Sequence, residues 1–108
     1  MSEFDQRQYR LMLNDLNEFR SGKIQIDALI NNLEGLLNAL TEGGEGWKKS
    51  FLRLWGQLED ARAYALFRDS EALDADSTQR VYAAVEHLKL LVLERMHDPI
   101  AISKDIDK

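Results

Sequence analysis

The stretch "GWKKSFLRLWGQLEDARAYALF", residues 46–67, decides the fold. Trp47, Phe51, Leu54, Trp55, Leu58, Ala61 and Ala65 follow the 3.6-residue period of an α-helix. That spacing puts both tryptophans of the chain on one apolar stripe, where a helix packs against its neighbours. The helix predicted here covers residues 47–68. It begins among basic residues and ends among acidic ones. Lys48, Lys49 and Arg53 lie at its start, and Glu59 and Asp60 lie beyond its middle.

Three more helices are predicted around it. Tyr9, Met12, Leu13, Leu16 and Phe19 mark one over residues 4–21, with Ser2 as a candidate N-cap and Gly22 as a C-terminal stop. Ile26, Leu29, Ile30, Leu33, Leu36, Leu37 and Leu40 mark a second over 25–41. Gly35 inside it either lets a neighbour approach or is simply tolerated, at a cost of up to about 1 kcal/mol. The glycine-rich "TEGGEG" at 41–46 ends that helix. Val81, Ala84, Val85, Leu88, Leu91, Val92 and Met96 mark the last over 77–97, capped by Asp76 or Ser77 and ended before Pro99. "KIQI" at 23–26 is the one β-like piece, and it is too short to build a sheet. Short connections between long helices favour antiparallel neighbours. The expected fold is therefore all-α: a compact antiparallel bundle of about four helices. The third helix is either continuous or broken. Residues 1–108 form one domain, with 98–108 as a loose tail or packed on the bundle through its isoleucines.

Composition agrees with a single globular domain. Of 108 residues, 44% are hydrophobic and 31% charged, which suits a folded core better than disorder. The absence of cysteine excludes disulfides and thiolate metal sites and suits a reducing cytosol. No basic segment followed by an apolar run opens the chain. No apolar run approaches the roughly 20 residues that span a bilayer. A cytoplasmic location without membrane attachment is the expectation.

Motifs for chemistry are missing. "GGEG" has neither the lysine nor the preceding strand of a phosphate loop. His87 and His97 are ten positions apart on one predicted helix and cannot pair on a metal. No Glu-x-x-His pair marks a di-iron bundle. No catalytic residue, metal ligand or cofactor site is nominated, and the chain is expected not to be an enzyme. The basic group Lys48, Lys49 and Arg53 gives +3 over 47–56, a small footprint for nucleic acid beside tryptophans that fit the core. Nucleic-acid binding is not the expectation.

The charge pattern points elsewhere. The net charge is −5, and it is segregated. Residues 57–76 carry Glu59, Asp60, Asp69, Glu71, Asp74 and Asp76 against Arg62 and Arg68, a net of −4. Residues 23–46 carry four carboxylates against Lys23, a net of −3. Such segments are either solvated loops and helix starts or a surface for a basic protein partner. Glu59, Asp60, Asp69, Glu71, Asp74 and Asp76 are the candidate partner-binding residues. Glu59 also borders the apolar stripe, where it could instead pair with an arginine at the bundle edge.

The run "FRSGKIQIDALINNLEGLLNAL" at 19–40, then Trp47, then "FLRLWGQLEDARAYAL" at 51–66 and a final helix, resembles the small all-helical immunity proteins of bacterial polymorphic and contact-dependent growth-inhibition toxin systems. The resemblance spans most of residues 9–95. It implies a protein that binds and neutralises a cognate toxin domain, often a nuclease with a basic active site. The alternative expectation is a non-catalytic regulatory or adaptor bundle that self-associates. The two differ in whether a toxin gene lies beside this one.

Overall fold

The computed structural model describes residues 3–42, 44–68 and 73–96. Four α-helices account for most of them: α1 Glu3–Arg20, α2 Ile26–Ala39, α3 Glu45–Phe67 and α4 Ala75–Arg95. No strand occurs among the described residues, and "KIQI" instead leads into α2, with Ile24 and Ile26 packed on the core.

The helices stand at the corners of a square. α1 packs on α2 and α4, and α3 packs on the same two. Long-range bonds give the directions. The start of α1 meets the end of α4 through Gln6 Nε2, which donates to the Arg95 carbonyl at 2.9 Å. The start of α3 meets the end of α4 through Trp47 Nε1, which donates to the Leu91 carbonyl at 3.0 Å. Asp5 near the start of α1 reaches Thr41 just past the end of α2. Sequence neighbours are therefore antiparallel, as short connections favour.

The core is the set of stripes read from the sequence. Tyr9, Met12 and Leu16 of α1, Leu29, Ile30 and Leu33 of α2, Phe51 and Leu58 of α3, and Val81, Val85, Leu88 and Val92 of α4 are fully buried or nearly so. Each side chain of this kind contributes about 1.5–3 kcal/mol relative to leaving it in water. Trp55 departs from the simple stripe. It is only half-buried, at the edge of the core, where its Nε1 donates to the Ile30 carbonyl at 2.9 Å.

The helix ends show where local chemistry decided the boundaries. α1 stops in a Schellman arrangement: Gly22 takes φ 82°, its N–H bonds to the Phe19 carbonyl, and the Lys23 N–H bonds to the Glu18 carbonyl. α3 is unbroken and starts two residues before Trp47, after Gly44 at φ 82°. α4 starts at Ala75, two residues earlier than expected, because Asp74 is its N-cap. The expected caps, Asp76 and Ser77, lie inside the first turn. Asp74 wins because its carboxylate reaches back to the Ser77 N–H at 2.8 Å. A Cβ on Gly35 would meet nothing within 4 Å, so this glycine is tolerated on an open face and serves no close approach. Ser2, His97, Pro99 and the tail from 98 lie outside the described residues. No helix among the described residues is long and apolar enough to cross a membrane.

Candidate binding surface

Where α3 ends and α4 begins, a cleft of about 510 Å³ lies between the two helices. Gln57, Asp60, Ala61 and Tyr64 line it from α3, and Asp74, Asp76, Ser77 and Arg80 from the start of α4. The helical period explains the α3 side: residues 57, 60, 61 and 64 recur at three- and four-residue steps on one face. Three of the six candidate carboxylates, Asp60, Asp74 and Asp76, therefore come together although up to 16 positions separate them.

Their roles differ. Asp74 is committed to the fold. One carboxylate oxygen accepts from the Ser77 N–H, and the other accepts from Arg68 Nη1 at 2.9 Å. Hydrogen bonds from the Ser77 backbone and side chain hold its carboxyl below the ordinary value, and Arg68 and Arg80 add to this. Asp60 and Asp76 are exposed, and neither forms an ion pair among the described residues. Asp76 sits in the first turn of α4, where the helix dipole favours a negative charge. Glu59 does not line the cleft: one position from Asp60 is about 100° of rotation on a helix. It is half-buried and pairs with no arginine among the described residues. Arg62, its near neighbour, lies instead 3.5 Å from Asp27 at the start of α2. Asp69 and Glu71 lie outside the described residues.

The sequence reading missed the apolar part of this surface. Tyr64 is half exposed, Leu66 is 62% exposed and Phe67 is 85% exposed, all in the last turn of α3. Leu66 and Phe67 fall off the stripe defined by Trp47, Phe51, Leu54 and Leu58, and that displacement was the available signal. Arg68 lies over the Tyr64 ring, 5.4 Å from its centroid, and holds the ring at the cleft mouth.

The basic start of α3 is built differently. Trp47 is buried against Tyr9 and Phe51, with ring centroids 5.6 and 5.3 Å away, and the Arg95 guanidinium lies over its ring, 5.2 Å from the centroid. Lys49 and Arg53 are exposed, and Arg53 joins His87 and Leu90 in a shallow groove of about 300 Å³ along the same two helices. A further groove of about 320 Å³, between α1 and α2, contains Leu11, Asp15 and Gly35. Burial, reinforced by Glu18, raises the Asp15 pKa there against a hydrogen bond from Asn32. Among the described residues, no three His, Cys, Asp or Glu side chains converge to hold a metal ion.

No protein-family model matches the chain, and no curated protein or solved structure matches it.

Proposed function

We propose that this chain is an immunity protein, which binds and neutralises a cognate bacterial toxin domain in the cytoplasm. One observation carries the reading. The α3–α4 cleft sets the uncommitted carboxylates of Asp60 and Asp76 beside the half-exposed ring of Tyr64, and Leu66 and Phe67 stand exposed in the same last turn of α3. Tight protein interfaces combine a few apolar or aromatic anchors with complementary charge at the rim. The sequence resemblance to immunity proteins and the missing catalytic motifs support the same reading.

The proposed mechanism is occlusion, without catalysis by this chain. The carboxylates meet lysines and arginines that the toxin uses on its own substrate, and the anchors exclude water around those pairs. Charge complementarity speeds the encounter and selects the partner. A nuclease is the toxin class whose basic site fits an acidic cleft best.

The test is co-purification of the tagged chain from its host, with the mass of the complex measured. A stoichiometric complex with a basic toxin domain is expected, together with loss of toxin activity. Recovery of the chain alone from cells producing the neighbouring toxin overturns the reading.

A further inference from the structure

The acidic cleft and the Arg53 groove lie on one continuous strip. On α3, Arg53, Gln57, Asp60 and Tyr64 recur at three- and four-residue steps along the two linings. On α4, Asp76, Arg80, Ala83, His87 and Leu90 do the same, and all five are exposed. The outer seam between α3 and α4 therefore carries two hollows in line, with Ala83 of α4 exposed between them. Its charge is divided along its length. One end has Asp60, Asp74 and Asp76, with Arg80 beside them. The other has Arg53 and His87, with Lys49 exposed one turn before Arg53. Glu94 lies one turn past Leu90, outside the lining. The middle is small: Ala83 is exposed, and a Cβ on Gly56 would meet nothing within 4 Å.

We infer that this seam is a self-complementary docking surface for a second copy of the chain, antiparallel, about a two-fold axis crossing between Gln57 and Ala83. A two-fold interface uses the same patch twice, so each residue must suit its mirror position in the register. On α3, the point midway between Arg53 and Asp60 falls between Gly56 and Gln57. On α4, the point midway between Asp76 and Leu90 is Ala83. These two points lie at the same level of the bundle, because Gln57 shares one lining with Arg80 and Leu54 shares the other with His87. The axis therefore places Asp60 of each copy opposite Arg53 of the other, and Tyr64 opposite Lys49. Arg53 and Asp60 are seven residues apart, about 10 Å along the helix, so the two ion pairs flank the axis closely. In the same register Leu90, 59% exposed, faces Asp76 in the first turn of the other α4. Gly56 and Ala83 let the helices approach at the centre. The opposite arrangement, with the axis running along the seam, sets acid on acid and is rejected by charge.

The inference does not rest on the toxin reading, because it concerns the chain alone. A toxin that uses the same cleft competes with the second copy.

The experiment is light scattering on the full chain from about 1 µM to about 1 mM, at low and high salt. The mass is expected to climb from 12.5 kDa towards twice that value, and association to weaken as salt is added. Asp60→Arg and Arg53→Asp, each placing like charges together, are expected to weaken association by at least about tenfold. The double variant is expected to restore it, since the swapped pair is again complementary. Circular dichroism checks that each variant keeps its helices, and both side chains are exposed, so the fold does not depend on them. A monomer at every concentration overturns the inference and leaves the seam to a different protein. A dimer indifferent to the single changes, or not restored by the double one, also overturns it.

Discussion

Asp5 at one end of the bundle and Asp60 and Asp76 at the other are used in opposite ways. At the end where α1 begins, Asp5 is fully buried. Its carboxylate accepts from the Thr41 N–H at 2.9 Å, the Thr41 hydroxyl at 3.0 Å and the Glu42 N–H at 2.7 Å. At the other end, Asp60 and Asp76 face solvent in the α3–α4 cleft. Burial alone raises a carboxyl pKa. At Asp5 the hydrogen bonds from Thr41 and Glu42, with the charge of Lys48, outweigh it and hold the group below the ordinary value. One end spends its carboxylate on tying α1 to the α2–α3 connection. The other ties down Asp74 as a helix cap and leaves Asp60 and Asp76 available. The same residue type is structural where donors saturate it and interactive where they do not.

That contrast can be broken from either side. Asp5→Ala is expected to have the largest effect, lowering stability by about 2–3 kcal/mol in urea titration, because three donors lose their acceptor together. The pH profile sharpens the point. The folded-state pKa of Asp5 lies below its unfolded value of about 3.9, so its contribution is complete above about pH 4 and is lost as the pH falls through the folded-state value. Acid titration of Asp5→Asn should therefore show a shallower loss of stability below pH 4 than the parent chain. Trp47→Phe at the same end is expected to cost about 1–2 kcal/mol in thermal or urea unfolding, through the lost bond to the Leu91 carbonyl and a poorer fill. Asp74→Ala, at the cleft, removes a helix cap and should lower the midpoint by less than Trp47→Phe does. The pair Asp60→Lys and Asp76→Lys comes last on this scale, at up to about 1 kcal/mol, most of it from reversing the charge that the α4 dipole favours at Asp76. The same pair should weaken binding of the proposed toxin partner at least about tenfold by titration calorimetry. Loss of stability with unchanged binding would reverse the assignment of the two ends.

Much of the fold was legible because apolar period is a strong signal in long helices. The four stripes name the core and its edge: Leu13, Phe19, Ile26, Leu36, Trp55, Ala61, Leu91 and Met96 lie on them but are only partly buried. The start of α4 was harder, since Asp74, Asp76 and Ser77 all suit a cap by type. Only the reach of one side chain to an N–H three positions on selects among them. Asp5 sits four residues before Tyr9 on the core stripe, so its burial was readable, but its partners lie 36 and 37 positions away. The cleft was half legible. The acidic run marked Asp60, Asp74 and Asp76, yet it also drew in Glu59, which the helix turns away from them. Adjacency in the chain is not adjacency on a helix. The exposed end of α3 escaped notice because Tyr64, Leu66 and Phe67 count as ordinary core residues by composition.

The two indoles of α3 have a spectroscopic consequence. Trp47 is tied to α4 through Leu91, with the Arg95 guanidinium over its ring, while Trp55 is tied to α2 through Ile30. Each is thus an optical probe of a different helix pair, and chains retaining only one of them emit from one seam at a time. Coincident fluorescence transitions from the two would mean the square of helices comes apart as a unit. Transitions that separate would show which side of α3 lets go first.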